Sequence, residues 1–70
     1  MQLKLGKKYK DRNDDIWEVV CIVTDIEIRY PIVAVCYPRF VGDDIRADTF
    51  TLEGVYSYED EYRNLIEEVK

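Results

Sequence analysis

Histidine is missing altogether from these 70 residues, and serine occurs once, at Ser57. Without imidazole the chain lacks the side chain that ordinarily moves protons near neutral pH, and its lone serine has no adjacent base of that kind to activate it. Cysteine is scarce as well. Cys21 and Cys36 each sit inside an apolar run, with no C-x-x-C spacing and no histidine to complete a zinc site. Both read as reduced core residues, because free cysteine packs as a small hydrophobe. The three glycines, Gly6, Gly42 and Gly54, stand alone and build no phosphate-cradling loop. No apolar stretch approaches the roughly 18 residues of a membrane span, and no signal-peptide pattern is evident. A cytoplasmic location is therefore expected, with no membrane association, no metal and no cofactor. An enzyme is the least supported class.

Against these absences stand fifteen carboxylates and nine aromatic rings. Residues 1–70 are expected to form one β-rich domain, near the lower size limit for a self-sustaining core. Such a domain buries only about 60% of the surface its unfolded chain exposes, so stability of roughly 3–5 kcal/mol is expected. A second subunit is the expected source of any more, as a homodimer or higher oligomer. Charge is placed unevenly. Residues 1–12 hold Lys4, Lys7, Lys8, Lys10 and Arg12 against Asp11, whereas the rest hold five cations against fourteen acids, for a net charge of −5. A net acidic domain repels nucleic acid unless its cations converge, which disfavours direct nucleic-acid binding. The early lysines read as charges that protect an edge strand.

Hydrophobic periodicity predicts strands over most of the chain. Lys7 to Asp11 is a short polar strand with Tyr9 as its one large apolar group, followed by turn-forming Arg12-Asn13-Asp14-Asp15. Ile16 to Thr24 is the strongest strand: Trp17, Val19, Cys21 and Val23 fall on one fully apolar face, and Ile16, Glu18, Val20, Ile22 and Thr24 on a mixed one. Asp25 to Arg29 either extends that strand or forms a twisted hairpin arm. Ile32 to Tyr37 is a second apolar strand between Pro31 and Pro38, placing Cys36 on a neighbour of the strand that holds Cys21. Arg39 to Arg46 is irregular and reads as a loop. Asp48 to Leu52 alternates again, and Glu53-Gly54 turns the chain so that Val55 to Tyr58 returns as a hairpin partner. At the C-terminus Tyr58, Tyr62, Leu65, Ile66 and Val69 make a helical stripe that Ser57 can cap, predicting a helical turn or short helix from about Tyr58 to Leu65 that becomes extended afterwards. The alternative is a final strand through Leu65 to Val69.

Catalytic and metal patterns fail in turn. Asp11 to Asp15 imitates the opening of a calcium loop, but Ile16 stands where glycine is needed and Ile22 where the bidentate glutamate belongs. Asp43-Asp44 and Glu67-Glu68 are adjacent, so strand geometry would point each pair to opposite faces rather than set one carboxylate against another. What remains is aromatic density, since tyrosine buries a ring while keeping its hydroxyl wet and so suits interfaces. The candidate ligand- or partner-binding residues are Tyr30, Tyr37, Arg39, Phe40, Arg46, Tyr56, Tyr58 and Tyr62, with the arginine forks beside the rings suited to an anion or a partner carboxylate.

The frame of Gly6-Lys7-Lys8-Tyr9, Asp11-Arg12-Asn13, Trp17-Glu18-Val19, Tyr30 to Ala34, Thr49 to Tyr56 and Asn64 to Val69 resembles small uncharacterised proteins encoded by bacteriophages and prophages. Their likeness to SH3-like small β-barrels implies a mainly β fold of about five antiparallel strands with a short C-terminal helical segment, and an accessory role in the bacterial host cell. This chain departs from that pattern in having Asp14-Asp15 where a turn glycine is usual, and in a longer excursion at Arg39 to Arg46. Three functions are expected from the residues and the resemblance together. The first is a non-enzymatic binding module that inhibits a host protein or defence system through a tyrosine-rich surface with an acidic rim around it. The second is a sponge that sequesters an anionic nucleotide at an Arg/Tyr pocket, and the third is an acidic decoy that mimics DNA.

Overall fold

In the computed structural model, which describes residues 1–24 and 27–70, five strands form one antiparallel sheet. They are β1 (Lys8–Asp11), β2 (Ile16–Ile22), β3 (Ile32–Cys36), β4 (Arg46–Phe50) and β5 (Leu65–Val69), in the spatial order β4-β3-β2-β1-β5. The first four strands form a meander, and β5 returns to pair with β1. The mainly β expectation therefore holds at the level of five antiparallel strands. The sheet does not close into a barrel: β4 and β5 are its two edges.

The register explains where the core sits. Tyr9, Trp17, Cys36 and Arg46 line up across β1 to β4, followed by a row of Val19, Ala34 and Asp48, and then one of Ile22, Ile32 and Phe50. Side chains directly opposite one another share a face of the sheet, so these rows define the inner face. Their apolar members make the core, joined by Leu65 from β5 and covered by Leu3 and Tyr56. Trp17 is 0% exposed and meets the edge of Phe50 with ring centroids 5.2 Å apart. The small Val19 and Ala34 between them leave room for two large rings on one inner face.

Simple alternation along β2 breaks at a bulge between Val19 and Cys21. Val20 is the extra residue, and beyond it the phase reverses. Ile22 therefore packs against the core, while Cys21 and Val23 are exposed. This corrects the expectation that both cysteines are core residues, because only Cys36 is buried. The two do lie on neighbouring strands, yet Cys21 opposes Val33 whereas Cys36 opposes Trp17, at the far end of the ladder. Of the segment expected to extend this strand, Asp25 and Ile26 lie outside the described residues, and Glu27 to Arg29 form no strand.

The C-terminal expectation is met only at its coarsest: a helical turn followed by extended chain, with no full helix. Helical structure there is confined to one 3₁₀ turn, Glu61–Arg63, capped by Asp60 rather than Ser57, and Leu65 to Val69 forms β5. A helix of two turns is marginal by itself, whereas β5 gives β1 its second neighbour and seats Leu65 in the core. Tyr58, Tyr62, Ile66 and Val69, which made the helical stripe, are all exposed. Val55 to Tyr58 does not form a full hairpin strand either. It meets β4 through a single bridge, Phe50 to Tyr56, and through Ser57 N donating to the Thr49 carbonyl at 3.1 Å. Gly54 enables that return with φ of 98°, and a Cβ there would lie 3.1 Å from both Cβ and the carbonyl oxygen of Leu65.

Candidate binding clefts

Two open clefts lie at opposite ends of the β3–β4 ladder, and seven of the eight candidate residues divide between them. At the end where Cys36 faces Arg46, a cleft of about 510 Å³ gathers Tyr37, Arg39, Phe40 and Arg46 with Asp15, Asp43 and Asp44. At the other end, where Ile32 faces Phe50, a cleft of about 630 Å³ gathers Tyr30, Tyr56 and Tyr58 with Arg29, Ser57, Glu59, Asp60, Glu61 and Asn64. Tyr62 is exposed and lines neither.

The first cleft rests on a buried carboxylate. Asp11 is 0% exposed, and its side chain accepts from Trp17 Nε1 at 2.9 Å and from the amides of Asn13 and Asp15 at 2.8 and 3.0 Å. These bonds, with Asp14 in the left-handed region at φ of 63°, fix the β1–β2 loop. Asp14 thus does the conformational work that a turn glycine does elsewhere. Arg39 then ties the β3–β4 loop to it, through Nε to Asp15 at 2.9 Å and a terminal nitrogen donating to the Asn13 carbonyl at 2.8 Å. Arg46 lies over the Trp17 ring, 5.5 Å from its centroid. Tyr37 donates its hydroxyl to Glu18 at 3.1 Å, and that bond raises the pKa of the phenol. Burial raises the Cys36 thiol, with Asp15 adding to the effect, which suppresses the thiolate. Both arginines are therefore engaged within the chain, and three aspartates oppose their charge.

The second cleft is an aromatic path that runs from core to surface. Phe50 and Tyr56 have ring centroids 5.6 Å apart, and Tyr56 and Tyr58 are separated by 5.7 Å. Tyr56 is held by its amide donating to Asn64 Oδ1 at 2.8 Å, and Arg63 lies over its ring at 5.6 Å. Arg63 also pairs with Asp60 at 3.4 Å and Asp48 at 3.8 Å. Burial raises the Tyr56 pKa, and the Asp48 carboxylate beside the hydroxyl raises it further. Arg29 lies over Tyr30 at 5.4 Å. Tyr58, at the open end, is 72% exposed. Ser57 Oγ is sealed from solvent and has no hydrogen-bond partner among the described residues.

Sequence reasoning found the rings and expected an acidic rim around them, but did not identify the acids that share each cleft with the rings. Asp15, Asp43 and Asp44 in one cleft and Glu59, Asp60 and Glu61 in the other were read as turn residues, solvated surface or helix-capping charge. The adjacency of Glu59-Asp60-Glu61 to Tyr58 was the available signal. Among the described residues, no group of three or more cysteine, aspartate or glutamate side chains is arranged to hold a metal ion. No helix of the described residues is long and apolar enough to cross a membrane. Comparison of the chain with protein-family models, with curated proteins and with solved structures yields no match.

Proposed function

We propose that this protein is a non-enzymatic binding module with an open sheet of SH3-like type, a phage accessory factor that engages a protein of the bacterial host through its tyrosine-rich cleft. The observation that carries this reading is the convergence of Tyr30, Tyr56 and Tyr58 on one open cleft, mounted on a ring path that reaches the buried Trp17. Rigid aromatic surface lowers the ordering cost of association, and tyrosine is among the residues that dominate interface energetics. Five antiparallel strands in one sheet with a single core support the fold assignment.

The charge balance favours a protein partner over an anionic nucleotide. Each cleft carries three carboxylates, against two arginines in the first and one in the second. Arg39, the fork best placed for a phosphate, is already held by Asp15 and the Asn13 carbonyl. Dense phosphate mimicry is disfavoured as well, since Asp14, Asp15, Asp48, Asp60 and Glu67 are paired with cations of this chain and Asp11 is buried.

The test is retention of host proteins from bacterial lysate on the immobilised domain. The parent and Phe40→Ala, altered in the other cleft, are expected to retain the same protein, and a Tyr30→Ala/Tyr58→Ala variant is expected to lose it. Recovery of nothing above background, or equal recovery by all three, overturns the proposal.

A further inference from the structure

Two of the three tyrosines in the second cleft are already covered by guanidinium groups of this chain: Arg29 lies over Tyr30 and Arg63 over Tyr56. The third, Tyr58, has no cation over its ring among the described residues, and it is the most exposed of the three. Its chain neighbours supply negative charge. Asp60 is paired with Arg63, but Glu59 and Glu61, which line the same cleft, form no ion pair among the described residues. A largely exposed ring that shares a cleft with unpaired carboxylates is a setting in which a guanidinium gains both cation–π attraction and charge-assisted hydrogen bonds.

We infer that the Tyr58 corner of this cleft receives an arginine side chain from the partner polypeptide, clamped between the ring and the carboxylates of Glu59 and Glu61. The inference rests on the binding-module reading and specifies what that module recognises. Arginine is favoured over lysine because its planar guanidinium stacks on a ring and donates sideways to carboxylates at the same time. Two tyrosines of the cleft already lie under guanidinium groups of this chain, at 5.4 and 5.6 Å.

Fluorescence anisotropy with a labelled, otherwise uncharged nonapeptide containing two arginines tests this directly. The arginine peptide is expected to bind in low salt, and its citrulline counterpart, alike in shape but uncharged, to bind at least about tenfold more weakly. Tyr58→Leu is expected to weaken arginine-peptide binding several-fold and Tyr58→Phe to preserve it, since both rings present a π face. Glu59→Gln/Glu61→Gln is expected to weaken it about tenfold and to flatten its salt dependence. Because Tyr58 is largely solvent-exposed, these variants retain the core. No binding of the arginine peptide, equal binding of the citrulline peptide, or parent-like binding by Tyr58→Leu overturns the inference. The two failures are separable. A host protein that is retained through Tyr30 and Tyr58 but not displaced by the arginine peptide sinks the arginine assignment alone. A peptide that binds while the lysate yields nothing sinks the host-partner reading instead.

Discussion

Asp11 shows how one side chain can organise two structures. Its carboxylate closes the β1–β2 loop through two backbone amides and anchors the indole of Trp17 from within the core. A charge is tolerated there because three donors converge on it, each hydrogen bond to a charged group contributing about 1.5–3 kcal/mol. In Asp11→Ala the indole N–H is left buried without a partner, while the loop amides turn to water. A loss of about 3 kcal/mol is expected, most of the stability of a domain this small. Asp11→Asn keeps an oxygen for the amides but sets its NH2 donor against the indole N–H, so a loss about as large is expected. Urea unfolding followed by Trp17 fluorescence reads both, and an Asp11→Ala variant as stable as the parent would refute the anchoring role.

At the scale of elements, the β2 bulge decides which residues matter. Ile22→Ala is expected to cost about 1–2 kcal/mol, less than a fully buried isoleucine because the site is only half covered, whereas Cys21→Ser should stay within about 0.5 kcal/mol. The reverse order in urea unfolding would mean that unbroken alternation governs β2. Strand positions were legible from the sequence wherever two apolar faces or bounding prolines marked them, as in β2 and β3. The phase beyond Val19 was not, because a bulge follows from how three strands are registered and leaves no residue signature in Val19-Val20-Cys21. The C-terminal stripe misled for a related reason: Tyr58, Leu65 and Val69 satisfy helical spacing, but backbone pairing with β1 outweighs local propensity. The site was half legible. Tyrosines announced themselves by type, but which of them share a cleft depended on Phe50 bridging to Tyr56 and on the division of the rings between the two ends of one ladder.

For the molecule as a whole, the raised Tyr56 pKa has a direct consequence for alkaline stability. A folded state that holds the phenolic proton more tightly than the unfolded chain is favoured at every pH below the ordinary tyrosine value near 10, and loses that advantage as pH climbs past it. Tyr37, bonded to Glu18, and Lys10, paired with Glu67, are shifted in the same direction and act with the same sign. The urea midpoint is therefore expected to hold steady from pH 7 to 9 and to fall above about pH 10. Tyr56→Phe should fall less steeply over that upper range, and an identical decline in parent and variant would remove Tyr56 from the account.

The inner row of β4 carries Arg46 and Asp48 where its neighbours carry cysteine and alanine. Another strand laid along the open stretch of this border would have to set its own inward side chains against a fixed cation and a fixed anion, each already engaged with Trp17 or Arg63. Lateral growth of the sheet, the usual first step toward fibrils, is thereby discouraged from inside the fold, and copies of this protein that meet must do so elsewhere than along that strand.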